Sequence, residues 1–255
     1  MGSATRAAEN NLAGLKPGGI DTGVQLMRIA AAIGANPSLT SALADPAIDD
    51  AGKEKLISTV FKGATADALK VASAAVKEEW SSNADLTAGI ERLGIQAIAR
   101  EADADKTVQE LYTFQEVVSS DPELELALNS RLVEPAARAD LAEKLLSKAT
   151  PATKAIVAEM VRSPRNRRVH QLLESAGEIV AASVGKQVAK VLSASALDAA
   201  QVSKITETLS KQYGPVIAQV GVQPELIGGV KIQVGSDVLD GSLAYKINEL
   251  KLQLS

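Results

Sequence analysis

The sequence predicts a mainly α protein with a small C-terminal α+β domain, and three observations carry that prediction. Hydrophobic residues make up 46% of the 255 residues but aromatics only 2%, so the core must be built from Ala, Val, Ile and Leu. That composition suits close-packed helices better than a large sandwich. Residues 26–76 align without gaps on residues 111–161, and the apolar phase is kept: Ile29 meets Phe114, Ile33 meets Val118, Val71 meets Ile156. A matched phase means matched buried faces, the mark of one helical unit used twice. Beyond about residue 183 the apolar period shortens from helical spacing to alternation.

The first bundle is placed at 1–85 and the second at 86–182. Asn36-Pro37 and Asp121-Pro122 put a capping side chain before a proline at the first helical position. Asp49 and Glu134-Pro135 open the next helix, whose inward face reads Leu56, Val60 and Phe61 in one copy and Leu141, Leu145 and Leu146 in the other. Thr65 and Thr150-Pro151 open a further helix, with Leu69, Ala72 and Val76 against Ile156, Val157 and Met160. Between the copies, Leu86, Ile90, Leu93 and Ile98 follow helical spacing, so this segment closes the first bundle, opens the second, or does both.

The C-terminal domain, 183–255, is predicted to hold three or four strands and two helices. Val184–Ser193 reads as a strand, and Asp198 caps a helix that ends at Tyr213-Gly214. Val216, Ala218, Val220 and Val222 alternate as a second strand. Pro224–Ser242 then gives a bend at Gly228-Gly229, the strand Val230–Val234, a turn at Gly235-Ser236, the short strand Val238-Leu239 and an Asp-Gly-Ser stop. Leu243, Ile247 and Leu250 mark a closing helix.

The composition excludes several kinds of chemistry. There is no cysteine, which removes disulfides and thiolate metal sites, and His170 is the single histidine. With 27 basic against 31 acidic residues the net charge is −4, the wrong sign for broad nucleic-acid binding. No run approaches the roughly 20 apolar residues of a membrane span, and Met1–Gly14 lacks the apolar region of a secretory signal. Any membrane association is expected to come through a partner, with no direct insertion. Gly228-Gly229 lacks the surrounding pattern of a phosphate loop. Glu78-Glu79 and Asp49-Asp50 are adjacent and face apart, poor geometry for acid–base work. The basic cluster Arg162, Arg165, Arg167 and Arg168 reads as a solvated helix junction, because Pro164 breaks it and no aromatics interleave. Trp80 is expected to be partly buried. No catalytic, cofactor or metal residues are nominated.

As it stands, Pro224–Ser242 resembles the C-terminal signature of the delta subunit of F-type ATP synthase, the oligomycin-sensitivity-conferring protein family. Pro224, Gly228, Gly229, Gly235 and Gly241 carry the resemblance, with Gln223 standing where an acidic residue is more usual. It covers Leu86–Ser255 in the common family pattern and Met1–Ser82 only in a longer form similar to that of actinobacterial members. It implies a non-catalytic peripheral-stalk (stator) subunit that joins the catalytic head to the stalk and resists rotor torque. The implied partners are the N-terminal helix of an α subunit and the b subunit, and the implied place is the cytoplasmic face of the cell membrane, held through the complex. The family groove, carried over, lies between the Leu86–Arg100 helix, with Ile90 and Leu93, and the Thr153–Val161 helix, with Ile156 and Met160. From the residues alone, a stand-alone helical-repeat adaptor that binds peptides is the alternative.

Overall fold

The structure, a computed structural model, describes residues 2–226 and 228–240. The repeat in the sequence is a repeat of helices. Helices α3 (Pro37–Ala44), α4 (Asp50–Val60) and α5 (Ala66–Lys77) recur residue for residue as α8 (Pro122–Asn129), α9 (Pro135–Leu145) and α10 (Pro151–Arg162). Their starts are fixed by side chains that satisfy the first free backbone N–H groups. Asn36 accepts from Leu39 N at 3.1 Å, and Asp121 from Glu123 N and Leu124 N. Asp49 accepts from Gly52 N at 2.9 Å, whereas Glu134 makes no such bond and leaves the start of α9 to Pro135.

One long-range cap is also duplicated. Gln25, in α2 (Ile20–Ala35), accepts from Thr65 N at 2.6 Å. Glu110, at the matching place in α7 (Ala104–Ser120), accepts from Thr150 N at 3.0 Å and from the hydroxyls of Thr150 and Thr153 at 2.7 and 2.5 Å. Burial pushes the Glu110 carboxyl up, but the bonds from Thr153 and Thr150 outweigh it and leave the group below its ordinary value. A carboxyl depressed by folding adds stability above the unfolded value, near 4.3, and loses it as pH falls through the folded one. Glu110→Gln keeps an acceptor, as Gln25 does, but removes the charge. It is expected to cost about 1 kcal/mol at pH 7 and to converge on the parent protein as pH falls below the folded value, as urea denaturation at descending pH will show.

Each bundle has six helices, and α6 (Asn83–Ala99) belongs to both. With α1 (Ser3–Leu12) to α5 it encloses a core of Leu26, Ile33, Leu43, Ile57 and Val76, to which it adds Leu86, Ile90 and Leu93. With α7 to α11 (Val169–Ser183) it encloses Leu111, Phe114, Leu128 and Leu172, to which it adds Ile95, Ile98 and Ala99. Trp80 is half-buried, its ring lying over Gly89 and its Nε1 donating to Ala75 O at 2.8 Å. Val60 and Leu145, assigned inward by spacing, are instead 48% and 44% exposed. Ile57 and Ala142, one turn earlier, take the interior.

The C-terminal part is a four-stranded sheet in the order β2-β1-β3-β4. Strand β1 (Gln187–Ser193) starts later than its sequence suggested, because Val184 is spent ending α11. It pairs in parallel with β2 (Val216–Val222) through the crossover helix α12 (Ala199–Tyr213), and antiparallel with β3 (Val230–Val234). β3 continues antiparallel into β4 (Asp237–Asp240). Asp198 and Gln201 cap each other's backbone N–H at the start of α12, and Gly214, at φ 81°, turns the chain out of it. One sheet face covers Leu209 and Ile205 of α12. The other lies on α7 and α11, so Val216, Ile217 and Gln219 are all buried and the alternation expected of β2 is blurred. The closing helix marked by Leu243, Ile247 and Leu250 lies outside the described residues. Among the described residues no helix is long and apolar enough to cross a membrane.

Candidate partner-binding surfaces

The four side chains nominated for a helix-binding groove are all buried in the chain taken alone. Ile90 and Leu93 sit in the first core, Ile156 and Met160 in the second. Helices α6 and α10 do run side by side, but the seam between them is covered by α2, which packs on both. Its Met27 enters the second core, and Ile20 and Val24 rest against it, an apolar stripe at helical spacing. The crossing is tight because glycine faces glycine. A Cβ on Gly23 would lie 2.4 Å from Gly94 O, and one on Gly94 would lie 2.8 Å from Gly23 O. Arg28 of α2 clamps the seam by donating to Glu159 of α10 from Nε and Nη2, at 2.9 and 2.6 Å.

The signature hairpin is built as its glycines require. Gly228, Gly229 and Gly235 have φ of 140°, 80° and 57°, a region that other residues enter only with strain. Pro224 stands at the turn after β2, and Gly241 lies outside the described residues. Edge strand β4 presents Val238 and Leu239 as exposed apolar side chains. The opposite edge, β2, is partly covered by α7: Gln109 accepts from Val220 N at 3.0 Å and donates to Val220 O at 3.2 Å, as a neighbouring strand would. Tyr112 packs on Gly221, so a side chain there would collide with the phenol.

Arg168 is exposed, as a solvated junction requires, but Arg165 and Arg167 are not left to solvent. Pro164 starts a turn in which Arg165 and Asn166 both take left-handed backbone angles, φ 47° and 65°. That turn delivers Arg165 and Arg167 to Glu91 on α6; both its oxygens accept from Arg167 at 2.9 Å, and it is ion-paired with Arg165. Burial lowers the pKa of Arg165 against the pull of Glu91, with the charge of Arg167 adding to the decrease. The sequence held no signal for this pairing, since Glu91 on α6 and the turn that carries Arg165 and Arg167 lie far apart in the chain.

Residues 95–254 match the family model described as ATP synthase delta (OSCP) subunit. ATP synthase subunit delta of Leifsonia xyli subsp. xyli is 40% identical, with all of both chains aligned. The subunit delta of Corynebacterium jeikeium is 36% identical over 93% of this chain and 89% of its own. That of Kineococcus radiotolerans is 34% identical over 92% and 87%. A chain of the Toxoplasma gondii mitochondrial ATP synthase hexamer aligns with 64% of this chain and 94% of its own, at TM-score 0.36 and 18% identity, too weak a likeness to bear on fold or function. The family model begins inside α6, yet the actinobacterial relatives also align through the first bundle, so the duplicated form is shared with them. On these matches the chain belongs to the ATP synthase delta (OSCP) subunit family, in its longer actinobacterial form.

Proposed function

We propose that the chain is the peripheral-stalk subunit of ATP synthase that holds the catalytic head to the stalk against rotor torque, and that it carries out no chemistry itself. The observation that carries the reading is the family match over residues 95–254. Family membership over the full length also removes the stand-alone adaptor, which left the sheet module without a use. The fold supports a stator: two bundles joined through a shared helix, with a sheet module docked on the second, form extended surfaces suited to load. The association is with the cytoplasmic face of the cell membrane, peripheral and through the complex.

The working division follows 1–85, 86–182 and 183–255. The second part takes the N-terminal helix of an α subunit and the third the b subunit, while the partner of the first part is unassigned. Ile90, Leu93, Ile156 and Met160 serve as walls of the α6–α10 seam, and an incoming helix reaches them by taking the place of the α2 stripe. What supports this is the stripe itself: Ile20, Val24 and Met27 are the pattern that an amphipathic helix brings to a groove. Pro224, Gly228, Gly229 and Gly235 shape the module for the b subunit, and Gly241 belongs to the same signature.

The two attachments are separable. Gly229→Val puts a branched side chain at φ 80°, which strains the hairpin by about 1–3 kcal/mol. Binding of the purified b-subunit soluble region is expected to weaken about tenfold or more, with α-peptide binding unchanged. Unaltered b-subunit affinity, with the hairpin distortion verified by NMR, contradicts the division.

A further inference from the structure

A cavity of about 640 Å³ opens between α8, the start of α9 and the turn before α11. Five arginines line it (Arg131, Arg138, Arg165, Arg167 and Arg168) against one acid, Glu125. Glu91 pairs with both Arg165 and Arg167, one negative charge against two positive ones. Arg131 donates to the neutral Asn166 at 2.7 Å, and Arg168 is exposed at the rim. Arg138 is only 5% exposed, yet it has no carboxylate partner among the described residues. Its Nη2 donates to Arg162 O at 3.3 Å, and its buried Nε donates to nothing. A buried, unpaired donor on a permanent cation carries a free-energy cost that an incoming acceptor would relieve.

The first bundle serves as an internal control. It has Pro46 in place of Arg131 and no arginine in 78–82, the stretch that corresponds to the turn carrying Arg165, Arg167 and Arg168, while Lys53 stands for Arg138. The same helices therefore close without four of the five arginines, and a buried long cation at position 53 or 138 is compatible with both copies. Apolar side chains accompany the charge: Leu126, 71% exposed, lines the cleft, and Leu132, 98% exposed, lies between its lining residues Arg131 and Val133.

We propose that this cleft binds an acidic amphipathic peptide segment of a partner protein, whose carboxylates pair with Arg131, Arg138 and Arg168 and whose apolar side chains cover Leu126 and Leu132. Charge complementarity in a chain of net charge −4 marks this concentration of arginine as local and directed. Arginine forks suit carboxylates in two-point contact. The spread of the cations along an open, leucine-rimmed cleft favours a segment over a single small anion. This surface is distinct from the α6–α10 seam and from the hairpin, so its test does not depend on them.

The full chain is titrated, by fluorescence anisotropy, with a labelled helical peptide carrying Glu at i and i+4 and Leu at i+3 and i+7, and with its Glu→Gln counterpart. The acidic peptide is expected to bind about tenfold more tightly or better, and to weaken on going from low to high salt. The exposed pair Arg131→Glu and Arg168→Glu, which leaves the core untouched, is expected to abolish that preference with the circular dichroism spectrum unchanged. Equal affinity for the two peptides, or an acidic-peptide affinity that survives the arginine changes, overturns the proposal. So does complete displacement of the peptide by inorganic phosphate at matched ionic strength, which assigns the cleft to small anions.

Discussion

Met160→Asp is expected to destabilise the protein by about 4 kcal/mol or more, a large part of the stability of a typical domain. Met160 is 1% exposed and packed within the same core as Ile156, Val157 and Leu172. An aspartate there loses the apolar contacts and buries a carboxylate, which escapes only by protonating or by opening the bundle. Urea denaturation followed by far-UV circular dichroism measures the loss directly. A change below about 1 kcal/mol would mean that position 160 is accessible after all. The substitution therefore reports on the core. It cannot serve as a clean probe of partner binding, the use that the carried-over family groove invites.

The second large effect belongs to the Gly23–Gly94 crossing. Gly23→Leu is expected to cost about 3 kcal/mol, because its Cβ alone already meets Gly94 O and Ile98 Cγ1 at 2.4 Å. Backbone oxygen cannot move aside as a flexible side chain can, so α2 has to lift off α6. Hydrogen exchange should rise in 20–35 and along the facing side of α10, with the sheet module unaffected. The same variant tests the seam. If an α-subunit helix takes the place of α2, loosening α2 raises the affinity for that peptide; an unchanged affinity places its site elsewhere. Retained protection of 20–35 would contradict the steric argument itself.

The sequence carried the repeat, the caps and the hairpin well, for a physical reason. Each rests on chemistry within a few residues: Asn36 or Asp121 before proline, Thr65 or Thr150 at a helix start, glycine where φ is positive. The Gln25 and Glu110 caps span from one helix to another, but duplication made even those recoverable in principle. What the residues did not disclose was the identity of each buried face's neighbour. Ile90 and Met160 look the same in a helical wheel whether they line a groove or fill a core. Only the placement of α2 across the seam decides between them, and α2 is distant in sequence from α10. Val60 and Leu145 failed for a related reason, since Ile57 and Ala142 compete for the same interior position one turn away. The arginine cluster looked solvated because its counter-charge, Glu91, comes from another helix.

Helix α6 has a mechanical consequence. Adjacent bundles in a chain are commonly joined by a linker, where bending is cheap. Here the joint is a continuous hydrogen-bonded helix whose two ends are embedded in different interiors. To swivel one bundle on the other, α6 has to break or one interior has to empty, so the pair deforms as a single stiff beam and should melt in one cooperative step. Strain entering at either end is returned elastically, with no hinge between the bundles to dissipate it.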